Sequence, residues 1–202
     1  MKTTLRTLMT CQALILANLV FLQPAAAKSQ ATKSQNAEKA QVLQLIKKHV
    51  EVSACTTTLD KNNYPQHLTD IDDVYQVERD QQRGSVTYFV LWGGDMGCDG
   101  GSGTWSYHVS TVEKQSSYKP FMVINDRAFG SALSADINFR FLESMKQLSA
   151  DTFEIISWNY ADDKYGGKDS GNNFPANKFK YTVQYQKGQW QVSKQVLLEQ
   201  NK

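Results

Sequence analysis

The sequence predicts an α+β fold, in which one N-terminal amphipathic helix packs on a mainly antiparallel β-sheet of about seven or eight strands. Two observations lead there. One early segment carries its apolar residues at helical spacing, and most of the chain after residue 73 alternates with period two between short turns. Strands in a meander with a helix on one face make an α+β domain.

The chain opens like an exported protein. Lys2 and Arg6 precede an apolar run from Ala13 to Leu22, which breaks at Gln23-Pro24 and ends in Ala25-Ala26-Ala27. A charged region, a short apolar region and an A-x-A site come in that order, so residues 1–27 are expected to be a signal peptide cleaved after Ala27. The run is about 10 residues long, where a membrane-spanning helix needs roughly 20. Leu8-Met9-Thr10-Cys11 looks like a lipobox, but a lipobox has its apolar run before the cysteine and here the run comes after it. Cys11 is therefore read as a leader residue. The expected product is periplasmic, with no membrane anchor after cleavage.

Removing 27 of the 202 residues leaves 175, a length that suits one domain with its own core. The leader takes two basic residues with it and leaves 20 basic against 20 acidic. A neutral domain without basic clustering lacks the footprint that phosphate neutralisation requires, so no nucleic-acid partner is expected. Cys55 and Cys98 are the cysteines that remain. In an oxidising compartment such an isolated pair forms a disulfide, and no C-x-x-C spacing supports a redox role. The closed loop would stabilise the fold by about 4 kcal/mol in the chain-entropy picture.

Residues 28–35 are polar and read as a flexible tail, and 36–202 as a single domain. Asn36 is a plausible N-cap with Glu38 in the first turn. Val42, Leu45, Ile46 and Val50 then recur at helical spacing, predicting a helix over Ala37–Ser53, and Cys55 lies just past its end. Strands are expected at Val74–Arg79 and, after an Arg83-Gly84 turn, at Ser85–Trp92, whose apolar residues on both faces mark a central strand. Gly93–Gly103 holds six glycines and reads as irregular backbone. Thr104–Val112 alternates, and Phe121–Ile124 is a further strand. Phe139–Leu148 fits helix or strand; the Ser149-Ala150-Asp151 turn into Thr152–Tyr160 favours strand. A polar loop, Ala161–Asn177, precedes the last hairpin, Phe179–Tyr185 and Gln189–Leu198 around Lys187-Gly188.

Several pieces recur in a known order: Tyr88-Phe89-Val90-Leu91, Gly100-Gly101-Ser102-Gly103-Thr104, Asp162-Asp163, Asn173-Phe174-Pro175 and Tyr181 to Trp190. In this the chain resembles a widespread group of small exported bacterial proteins of largely unassigned role. There the same turn is followed by an Asp-rich loop carrying Cys-Cys-Pro, where this chain has Asn-Phe-Pro. The resemblance implies a fold and a compartment, and it supplies no activity.

Reaction chemistry is not legible. A Ser-His-Asp triad could be assembled from Ser106 or Ser110, His108 and a loop aspartate, but no G-x-S-x-G elbow is present and the stripe reads as the solvated side of a sheet. His49, reading as an ordinary helix-flank residue, His67 and His108 lack zinc spacing. Asp95 and Asp99 in one loop, and Asp162, Asp163 and Asp169 in another, offer oxygen ligands without an EF-hand pattern. No metal and no cofactor is expected. The remaining candidates are for recognition: Asp95, Asp99, Trp158, Tyr160, Asp162 and Asp163, with Trp92 and Trp105 assigned to the core. The expected function is a non-catalytic periplasmic module that binds a protein or cell-envelope partner, an inhibitor or immunity protein being one form. The alternative is an envelope hydrolase using acidic residues of the two loops.

Overall fold

A computed structural model describes residues 24–62, 68–98 and 104–202. The charged and apolar leader regions, His67, Asp99 and the Gly100-Gly101-Ser102-Gly103 turn lie outside the described residues. The chain divides into two compact units, 1–38 and 39–202, and all the strands and buried core residues belong to the second.

Helix α1 spans Pro24–Ser53 and thus includes residues 28–35, expected from the sequence to be a tail. Past Pro24 that stretch contains neither glycine nor proline and is rich in alanine, lysine and glutamine, which favour helix. Among the described residues eight strands come after it: β1 (Val74–Asp80), β2 (Ser85–Asp95), β3 (Trp105–Lys114), β4 (Met122–Asn125), β5 (Leu142–Ser149), β6 (Thr152–Asn159), β7 (Asn177–Gln186) and β8 (Gln189–Gln200). Every pairing between them is antiparallel. They do not make one sheet, however. Strands β1 to β4 form one four-stranded meander and β5 to β8 a second.

The break between sheets falls where the chain forms helix α2 (Gly130–Asp136), an element that the period-two pattern does not predict. Its signal is present all the same: Phe129, Leu133 and Ile137 recur every four residues, and all three are buried. They join a core between the sheets with Tyr75, Phe89 and Leu91 from the first and Phe153, Ile155, Phe179 and Tyr181 from the second. The Tyr75 hydroxyl donates to the Met145 carbonyl at 3.0 Å and ties the sheets directly.

The other face of the first sheet is also buried. Val74, Tyr88, Val90, Trp92 and Val112 form a second cluster that includes Val42, Ile46 and Val50 of α1. This explains why Ser85–Trp92 is apolar on both faces, whereas β7 alternates strictly and turns Lys178, Lys180 and Thr182 outward.

Strand β2 runs on through Gly93 and Gly94, where the sequence predicts irregular backbone. A Cβ on Gly93 would stand 2.6 Å from the Trp105 ring, and one on Gly94 would stand 2.7 Å from the Trp92 ring. These glycines serve close approach within a sheet, not flexibility. Beyond the end of β1, residues 55–58 take its place beside β2: Thr57 bridges Gly94, and the Cys55 N–H donates to the Asp95 carbonyl at 2.9 Å. The Cys55–Cys98 disulfide, with a Cα separation of 5.5 Å, closes the same junction.

Candidate functional site

The loop between β6 and β7 is long and polar, yet hydrogen bonds hold its backbone from end to end. Asp162 Oδ1 accepts from the Lys164 and Tyr165 N–H groups, and Asp169 Oδ1 accepts from the Ala161 N–H. The Tyr160 hydroxyl donates to the Asn172 carbonyl at 2.7 Å. Asn177 and Gln200 donate to the Gly166 and Tyr165 carbonyls, and Asn201 donates to those of Pro175 and Ala176. The Arg140 guanidinium donates to the Asn173 side-chain oxygen. Next to it Phe174 stands 63% exposed, closing a tight turn in which its N–H donates to the Gly171 carbonyl.

Of the nominated carboxylates among the described residues, Asp95 and Asp162 are each engaged with a turn of their own. Asp95 ends β2 in the first sheet, and its Oδ1 accepts from the Gly97 and Cys98 N–H groups of its own turn. Asp162 caps its own turn in the loop between β6 and β7, and Asp163 beside it is exposed. Two carboxylates engaged with separate turns are not the facing acid pair that glycoside hydrolysis uses. Among the described residues, no three His, Cys, Asp or Glu side chains gather as metal ligands. Trp158 sits on the outer face of the second sheet, where its Nε1–H donates to Glu143 at 2.7 Å and the Lys178 ammonium lies 5.6 Å from its ring. Lys178 also pairs with Glu143. Tyr160 braces the tied loop through its hydroxyl and packs edge-on against Phe141.

The Ser/His stripe of β3 is not a solvated face. Ser110 is fully buried; it accepts the Trp92 Nε1–H at 2.7 Å and donates to Asp126 Oδ1 at 2.6 Å. His49 Nε2 lies 3.0 Å from the other oxygen of Asp126. The carboxylate therefore sits between serine and histidine, the reverse of a nucleophilic triad, in which the histidine must touch the serine. A serine with no exposed surface also cannot meet a substrate. His108 takes no part: its ring stacks on Trp92 with centroids 4.5 Å apart, and burial lowers its pKa below the usual histidine range. This is a polar brace, and sequence reasoning misses two of its members. Nothing singles out Asp126, and His49 looks like an ordinary flank residue, because partners 77 residues apart have no local pattern.

No protein-family model, no curated protein and no solved structure matches this chain.

Proposed function

We propose that this chain is a non-catalytic binding module of the bacterial periplasm, delivered by its leader, that recognises a protein partner through the Phe174 loop. An inhibitor or immunity protein directed at a cell-wall-active enzyme is one concrete form. In this reading residues 37–53 act as an N-terminal amphipathic helix that closes one side of the module. The observation that carries the proposal is Phe174, a large apolar ring exposed in a loop whose backbone is tied at both ends. An exposed apolar ring is the kind of anchor that fills a pocket on another macromolecule. Because the loop is already ordered, little conformational entropy is lost on docking.

The disulfide supports the compartment, since such bonds persist where the environment oxidises. No helix among the described residues is long and apolar enough to cross a membrane. The resemblance to small exported bacterial proteins points to the same place.

The test is capture from crosslinked periplasmic extract, followed by rebinding of the identified partner in purified form. Wild type should retain a partner that Phe174→Ala binds at least tenfold more weakly, about 1.4 kcal/mol. Equal retention by the variant would remove the loop from the interface. Absence of any partner would remove the binding reading altogether.

A further inference from the structure

A cleft of about 600 Å³ opens between β3, α2 and the end of β6, and Phe174 is not part of its wall. Trp105, Tyr107 and Phe139 supply apolar rings to that wall, Asn159 an amide, and Arg127 and Arg140 two guanidinium groups. Among the described residues no aspartate or glutamate lines it. The carboxylate next in sequence to Arg127 is Asp126, which is engaged by Ser110 and His49. The Asp136 side chain is exposed on α2 and is not in the wall. Arg140 is held in place at the rim by the Asn173 side chain and the Phe141 ring. Arg127 makes neither a side-chain hydrogen bond nor an ion pair among the described residues. His108 also lines the cleft, where burial holds its pKa below the usual histidine range.

We propose that this cleft binds a small anion carrying a planar ring, with its carboxylate or phosphate group on Arg127 and its ring against the aromatic wall. A guanidinium fork matches both head groups in a two-point geometry, which an ammonium cannot do. Among the described residues no carboxylate in the wall competes with such a ligand for the guanidinium. The volume lies within the range of small-ligand sites. The proposal is independent of partner binding through Phe174 and survives or fails without it.

The experiment is a titration of isotope-labelled, full-length secreted protein with phenyl phosphate, benzoate, benzamide and benzylamine, tracked through the Trp105 indole signal. The anions should give saturable shifts and bind at least tenfold more tightly than benzamide, about 1.4 kcal/mol. Benzylamine should bind no better than benzamide. The stronger of the two anions identifies the head group. Arg127→Gln should weaken anion binding about tenfold while leaving the thermal midpoint and the Phe174-dependent capture unchanged. Absence of a saturable shift, benzamide binding as tightly as benzoate, or an Arg127→Gln variant that binds like wild type would each overturn the proposal.

Discussion

Trp92 is the largest fully buried side chain among the described residues, and its indole N–H has to be satisfied where water does not reach. Ser110 answers it, Asp126 accepts from Ser110, and His49 faces Asp126, so four residues from separate segments form one connected brace. Ser110→Ala would leave the buried indole donor without its acceptor. The expected loss is about 1–3 kcal/mol of stability in urea denaturation. The same change in a Trp92→Phe background should cost measurably less, because the donor has gone. Equal losses in both backgrounds would show that the hydroxyl does not serve the indole. The sequence shows the alternation that turns Ser106, His108 and Ser110 to one side of a strand. It cannot show that this side is covered, since Asp126 and His49 reach the stripe only through the tertiary fold.

At the scale of elements, hairpins are the most legible feature. Lys187 and Gly188 both adopt positive φ between the paired Gln186 and Gln189, the two-residue turn whose twist matches the strands it joins. The bridge between Cys55 and Cys98 is legible as well, because an isolated pair without C-x-x-C spacing reads most simply as a disulfide. It closes a separation of 43 residues between the segment after α1 and the tip of β2. Replacing both cysteines by serine should lower stability by about 2–4 kcal/mol, read as a shift in the urea midpoint at constant slope. A change under about 0.5 kcal/mol would mean the reduced chain keeps the junction closed by its backbone hydrogen bonds alone. Helix α2 escapes because seven residues are too few for a periodic signal amid strand-like neighbours. The glycine-rich stretch misleads for another reason. Glycine marks both irregular backbone and close approach, and only the rings of Trp92 and Trp105 tell the two apart.

At the scale of the whole molecule, the two sheets share a core in which two tyrosines keep their protons. Burial, aided by the negative field of Asp73, Asp72 and Asp70, raises the Tyr75 phenol well above its ordinary value. Burial pushes Tyr181 up to about 12, against the opposing hydrogen bond from Asn159. In the unfolded chain both would ionise near 10. Linkage sets the sign. The stabilisation is complete below about pH 10 and is lost as pH rises toward the folded-state values, since the unfolded state releases its protons first. Stability measured between about pH 9 and pH 11.5 should therefore fall, and Tyr75→Phe should flatten that decline. A variant with the wild-type slope would show that other groups drive alkaline unfolding.

Local rules decided much of this protein: which segments extend, where they turn, and that two distant cysteines bridge. These are matters of side-chain period, backbone permission at glycine, and the chemistry of a thiol pair, and each acts over a few residues or on a residue type. Tertiary structure decided the rest. Eight strands divide into two sheets because Phe129, Leu133 and Ile137 carry the chain from one to the other, and a hydrophobic pattern states that a face is buried without stating against what. The same limit hid the brace around Asp126, the cleft beside Arg127 and the exposed ring of Phe174. Each is made by groups brought together through packing, and packing depends on the whole fold at once.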